Sequence, residues 1–145
     1  ITFILDTSGS MSDPEINECL RELKGIQSAD QHILIHVLEA DTEVKKEYLL
    51  DAQTKIDREV MGRRGTDFNQ PLSRAIELDS DIVIYATDGE APLPRNENRV
   101  PEHKILWLVT SQGCYPGNYS YYHRTDKERR TPKERYGKAI FLAAS

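Results

Sequence analysis

The segment DTSGS, Asp6 to Ser10, packs one carboxylate, three hydroxyls and a glycine into five residues. A helix-start signal, SDPE, follows almost at once. Two later segments are also rich in oxygen: RGTDF, which carries Thr66, and ATDGE, which carries Asp88. Taken singly, each has an ordinary explanation. Ser, Gly and Asp make turns, Thr66 can cap the helix after it, and Asp-Gly is a common turn pair. Taken together, Asp6, Ser8, Ser10, Thr66 and Asp88 form a set of two carboxylates and three hydroxyls. Hard oxygen donors of this kind suit Mg²⁺, Mn²⁺ or Ca²⁺.

That chemistry requires elements that bring the three segments to one place. ITFILD, Ile1 to Asp6, is a short β-branched apolar run and reads as a strand buried on both faces. Ser12 and Glu15 have capping-box spacing around Pro14. Ile16, Leu20, Leu23 and Ile26 then recur at helical intervals, so a helix is expected over about Asp13 to Ser28. HILIHVLEAD, His32 to Asp41, reads as a second strand that pairs as a hairpin with VKKEYLL, Val44 to Leu50. The lysines of the latter suit an exposed sheet edge.

Arg58 to Phe68 reads as a glycine-punctuated loop. A helix over about Phe68 to Leu78 follows, N-capped by Asp67, with Phe68, Leu72, Ala75 and Ile76 on its inner face. Asp81 to Glu90, Lys104 to Gly113 and Lys138 to Ala144 contain three further strands. The two late connections hold prolines or lack an apolar helical stripe, so only a short helical turn is expected, near Thr131 to Tyr136. The class is α/β, with a mainly parallel sheet, one antiparallel edge strand and reduced helices in the C-terminal half. One face of the sheet is expected to be thinly covered. In such sheets ligands bind beyond the carboxyl ends of the strands, where all three oxygen-rich segments should arrive.

The pattern D-x-S-x-S, then a threonine in a later loop, then an aspartate after a later strand resembles the metal-ion-dependent adhesion site (MIDAS) of von Willebrand factor A (VWA) domains. The matching residues are Asp6, Ser8, Ser10, Thr66 and Asp88, all in order. The resemblance is strongest to a compact bacterial VWA-like domain whose relatives operate beside MoxR-type AAA+ ATPases. It implies a Rossmann-like VWA fold over residues 1–145, as one domain of a longer protein. It further implies direct metal contact by Ser8 and Ser10, and contact by Thr66 either direct or through water. Asp6 and Asp88 would act mostly through water and orient it, and Gly9 and Gly65 would let the backbone turn beside the ion. The ion would keep an open position for an acidic side chain of a protein partner. The implied function is cation-dependent protein binding without catalysis.

The alternative is a metal-dependent hydrolase or phosphatase, with Glu90 as the one plausible base. Ser8 stands where a dehalogenase-type phosphatase places its second aspartate, and no P-loop or G-x-S-x-G elbow occurs. The 145 residues are 38% hydrophobic and 30% charged, with a formal net charge of −5, which disfavours nucleic acid. No apolar run approaches the length of a membrane span. Cys19 and Cys114 read as free thiols, consistent with a cytoplasmic location. The chain opens on Ile1 with no signal-like leader, which reads as a piece of a larger protein. His32 and His36 read as packing or partly exposed residues on one strand face, and Arg124 to Lys138 as a solvated loop. The tyrosines of Gly113 to Arg124 suit binding and packing equally.

Overall fold

The computed structural model of the chain describes residues 1–119 and 125–144. Strand β1 spans Thr2–Asp6 and is buried throughout. Helix α1, Asp13–Ala29, begins with the expected capping box. The Ser12 hydroxyl accepts from the Glu15 amide, and the Glu15 carboxylate accepts from the Ser12 amide. Strands β2 (Leu34–Ala40) and β3 (Val44–Asp51) form the antiparallel hairpin. Helix α2 is Asn69–Glu77, and β4, β5 and β6 are Val83–Thr87, Ile105–Val109 and Lys138–Phe141.

The six strands lie in the order β3-β2-β1-β4-β5-β6, and every pair except β2–β3 is parallel. The chain runs outward from β1 in one direction and from β4 in the other. The switch point therefore lies between the carboxyl ends of β1 and β4.

Alternation along the strands divides the core between the two faces. Phe3, Leu5, Ile35, Val37 and Ile84 join Ile16, Cys19, Leu20 and Leu23 of α1. Ile4, Leu38, Val83, Tyr85 and Trp107 join Phe68, Leu72 and Ala75 on the α2 side. The rings of Phe68, Tyr85 and Trp107 sit 5.1 Å apart pairwise, and the Trp107 indole donates to the Tyr136 carbonyl at 2.7 Å. Such a cluster fixes the α2 face through apolar area and ring geometry together.

Several local expectations need correction. The carboxylate of Asp67 accepts from the Asn69 amide at 2.9 Å, but Phe68, without a side-chain cap, stands at the N-cap position. Asp67 thus stabilises an Asx turn one residue before the helix. Ile76 is 42% exposed, and Leu72, Ala75 and the partly buried Leu78 pack on the core instead. His32 precedes β2, so only His36 lies on that strand. The short late helix, α3, is Asp126–Arg130 and not Thr131 to Tyr136. The Thr125 hydroxyl caps it by accepting from the Glu128 amide. As expected, two single 3₁₀ turns, Asn96–Asn98 and Glu102–Lys104, replace a helix between β4 and β5.

Leu23 is fully buried beneath α1, whereas Ile76 is largely solvent-facing. Leu23→Ala is expected to lower unfolding stability by about 2–5 kcal/mol, and Ile76→Ala to stay within about 0.5 kcal/mol. Chemical denaturation followed by circular dichroism measures both. Equal losses would contradict this division of the core.

Candidate metal centre

Asp6 is the last residue of β1 and is completely buried. One of its oxygens accepts the Ser8 amide at 2.9 Å, and the other accepts the Thr87 hydroxyl at 2.6 Å. Thr87, the last residue of β4, also accepts the Gly89 amide at 3.0 Å. This one hydroxyl therefore ties Asp6 to the turn that carries Asp88. The Ser8 and Ser10 hydroxyls lie 3.0 Å apart, and Ser10 donates to Asp88 at 2.7 Å. The other oxygen of Asp88 accepts the Glu90 amide at 3.0 Å. A continuous chain of polar atoms thus runs across the switch point from Asp6 to Asp88. Ser8 is buried within it, and Ser10 is exposed at its mouth.

Thr66 joins none of these hydrogen bonds, but its loop is docked on the same turn. The Arg63 amide donates to Thr7 O and the Gly9 amide donates to Arg64 O, each at 2.6 Å, and the Thr7 hydroxyl donates to Met61 O at 2.6 Å. Two acids from the end of β2 hold the loop from beneath. Glu39 accepts the Met61 amide at 2.8 Å, and the Asp41 carboxylate accepts the Arg64 amide at 3.1 Å. The Asp41 carbonyl accepts from Asp67, so Thr66 is bracketed on both sides.

Two glycines are required here. Gly62 has φ +143°, and an added Cβ would collide with the Thr7 hydroxyl. Gly89 has φ +77°, and an added Cβ would collide with the Cys114 carbonyl. The expectation for Gly65 is corrected: its nearest obstacle would be a Thr42 methyl at 3.6 Å, an ordinary contact. At Gly9 a Cβ would come within 3.1 Å of Arg63 O, so close backbone approach matters at that position.

The electrostatics are those of two like charges buried together. Burial first, and then the Asp88 charge, push the Asp6 carboxyl from 3.8 up to about 7, against the lowering effect of its Thr87 and Ser8 hydrogen bonds. Burial also raises Asp88. The Glu90 amide and the Ser10 hydroxyl pull it back, and the nearby Glu15 charge adds to the rise. Among the described residues neither aspartate forms an ion pair. Nor do three His, Cys, Asp or Glu side chains gather there in a group that could hold a metal. Any metal held at the switch point would rest on two carboxylates and hydroxyls, with water or a partner supplying the rest.

Residues 1–119 match the family described as VWA-like domain (DUF2201). The chain belongs to that family. Two solved structures share the fold. One is the conserved hypothetical protein BatB from Bacteroides thetaiotaomicron, with TM-score 0.59 and 14% identity over 99% of this chain and 90% of that one. The other is an aerotolerance-related membrane protein from Bacteroides fragilis NCTC 9343 carrying multiple mutations to serine. It has TM-score 0.55 and 14% identity, over 98% and 90% of the two chains. A comparison with curated proteins finds no match. Among the described residues of this VWA-like domain, no helix is long and apolar enough to cross a membrane.

The structure brings Asp6, Ser8, Ser10 and Asp88 together and sets the Thr66 loop beside them. It also assigns positioning work to Thr87, Glu39, Asp41 and Thr110, which the sequence reading passed over. Thr110, just after β5, donates to Glu15 at 2.7 Å and so ties the start of α1 to the sheet. Only their places at strand ends could have signalled them. Glu90 is exposed at the rim. Tyr115 is a packing residue: its hydroxyl donates to Gly137 O at 2.6 Å and accepts the Tyr136 amide at 2.8 Å. Tyr119 is 41% exposed, whereas Tyr121, Tyr122, His123 and Arg124 lie outside the described residues. Both cysteines are buried and neither forms a disulfide, and burial pushes the Cys19 thiol well up, as suits an inert structural thiol.

A carboxyl raised from 3.8 to about 7 binds a proton in the folded state that the unfolded chain has already released. Its contribution favours folding at low pH and is lost as pH rises through that window. In chelator the stability of the domain is therefore expected to fall between about pH 4 and pH 7. Asp6→Asn should flatten the fall. Urea melts across the pH range measure it, and an unchanged pH profile in the variant would contradict the assignment.

Proposed function

We propose that this VWA-like domain is a divalent-cation-dependent protein-binding module. Its metal would be held by Asp6, Ser8, Ser10, Thr66 and Asp88 and completed by an acidic side chain of a partner. One observation carries the reading: two buried carboxylates, Asp6 and Asp88, linked through Ser8 and Ser10, with no cation among the described residues paired to either. Leaving one charge unpaired in a protein interior costs several kcal/mol, and a like neighbour adds to that cost. A doubly charged ion removes both penalties, and the oxygen-only donor set suits Mg²⁺ or Mn²⁺.

Ser8 and Ser10 are neutral, so an ion beside them keeps attraction for an anion. The exposure of Ser10 leaves that side open to a macromolecule. Bound Mg²⁺ supplies Lewis-acid attraction for a carboxylate. The chain's own part is to orient the hydroxyls, through the Ser8 amide on Asp6 and the Thr87 hydroxyl between β1 and β4. The MoxR-type ATPases that operate beside similar bacterial domains are the proposed partner class, with another domain of the parent protein as the second source of the carboxylate.

Thermal melts test the metal directly. Millimolar Mg²⁺ or Mn²⁺ is expected to raise Tm by several degrees over a chelator control, following the mass-action relation for a ligand bound only by the folded state. The double change Asp6→Ala, Asp88→Ala should abolish the rise. No rise in the parent domain with either ion, or a rise retained by the variant, would refute the metal centre. Ester hydrolysis lost in the same variant would favour a hydrolase over a binding module.

A further inference from the structure

A groove runs along the flank of α1 away from the sheet's switch point. Its main cavity, about 680 Å³, lies between α1 and the segment that follows β3. Four cations line it: Arg21 and Lys24 from the helix, Lys55 and Arg58 from the facing segment, with no Asp or Glu among the lining residues. All four are exposed, and among the described residues none forms an ion pair. This is unexpected in a chain of net charge −5, where basic side chains have ample acidic neighbours to choose from. Asp57, an acid of the facing segment, points its carboxylate at Lys46, 3.5 Å away.

The wall of the groove is built and not merely open. Gln27 is 8% exposed, and its amide nitrogen donates to Asp51 O at 2.8 Å and Thr54 O at 2.6 Å, which pins the facing segment to the helix. The Asp51 carboxylate in turn accepts the amides of Gln53 and Thr54, each at 2.9 Å.

The groove continues toward the candidate metal centre. A second hollow of about 400 Å³ shares Asn17 and Arg58 with the first and adds Asp13 and Arg63. Asp13 and Arg63 lie 3.9 Å apart, and the Arg63 carbonyl faces Gly9 in the DTSGS turn. From Asp13 to Ser28 the helix rises about 22 Å, the span of about seven extended residues.

We propose that this groove seats an acidic, extended segment of the protein partner, which leads away from the metal along α1. The proposal rests on the metal-dependent reading for the direction of the partner, but not for the charge of the groove. Each carboxylate of such a segment finds a cation without an ion-pair partner among the described residues, and its backbone finds polar groups of Asn17 and Ser28. Single-stranded nucleic acid fits less well, because among the described residues no aromatic side chain lines either hollow for bases to stack on.

The probe is a fluorescein-labelled peptide of alternating Glu and Ser, about seven to ten residues long. Its affinity is read by fluorescence anisotropy for the parent domain and for Lys24→Glu, Arg58→Glu, each in Mg²⁺ and in chelator. The reversal is expected to weaken binding by about tenfold or more, in both buffers, and to leave the Mg²⁺-dependent rise in Tm intact. Because all the exchanged side chains are exposed, circular dichroism should show an unchanged fold. Absent binding by the parent domain, equal affinity of parent and variant, or tighter binding of labelled oligothymidylate than of the peptide would each overturn the groove assignment. A reversal effect that persists while Mg²⁺ changes neither Tm nor affinity would uphold the groove and sink the metal reading instead.

Discussion

A carboxylate driven to complete burial at the end of the first strand is the constraint around which this end of the domain is arranged. Asp6 cannot reach water, and its nearest charged neighbour is another buried acid. Two hydrogen bonds offset part of the cost, one from the Ser8 amide and one from the Thr87 hydroxyl. They come from the turn after β1 and from the end of β4, so satisfying Asp6 also sets the spacing of the two strands at the switch point. The backbone at Gly89 follows from the same requirement. Its amide must return to Thr87 while the Cys114 carbonyl presses from the other side, which leaves no room for a side chain.

The second layer of organisation is the loop before α2. Loops that carry function need a rigid support, and here the support comes from beneath. Glu39 and Asp41, at the carboxyl end of β2, accept amides of Met61 and Arg64, while Thr7 and Gly9 take the loop from above. Burial pushes the Asp41 carboxyl up, but the amides of Arg64, Glu43 and Thr42 outweigh it and leave it below its ordinary value. It stays charged and keeps accepting. Arg63 adopts φ +84° in this stretch, an uncommon conformation for a residue with a side chain, while its own amide donates to Thr7 O and the Arg64 amide to Asp41. The conformation persists because the surroundings fix it.

The parts of this architecture that were legible in the sequence are those encoded locally. The Ser12–Glu15 capping box, the apolar stripe of α1, the β-branched run of β1 and the lysine-bearing edge of the hairpin all depend on spacing within one segment. The fold class follows from their alternation. Within the candidate site, Asp6, Ser8, Ser10 and Asp88 were legible because each ends or follows a strand, and parallel strands must deliver their ends to one side. The misplaced features were decided by tertiary packing. Phe68 takes the N-cap position because its ring is drawn into the Tyr85–Trp107 cluster, which leaves Asp67 one position short. Ile76 has the period of a core residue but lies at the edge of the buried stripe, which Leu72, Ala75 and Leu78 fill. Thr87, Thr110, Glu39 and Asp41 resemble ordinary strand-end residues until their partners, remote in sequence, are seen. The groove was invisible for the same reason, since its cations come from two segments that only the fold brings face to face.

Glu15 shows how the same few side chains serve helix, sheet and charge at once. It accepts the Ser12 amide at the start of α1 and the Thr110 hydroxyl after β5, and its charge helps raise the neighbouring Asp88. As a cap alone it would stabilise the helix start, where the helix dipole favours a negative charge. Beside Asp88 it is a third acid near a site already carrying two. The charge stabilises the helix start and its second oxygen takes the Thr110 hydroxyl, but a neutral Gln can also complete a capping box and would add no charge beside Asp88. The arrangement makes physical sense if the field at the switch point is meant to be negative enough to hold a cation, with the unpaired arginines and lysines along the outer flank of α1 forming its counterpart. A partner of uniform negative charge would then be repelled by the bare site and attracted by the groove, and the cation reverses the first term without altering the second. On the proposed reading the two ends of α1's flank would act on one ligand differently, one in response to metal and one independently of it.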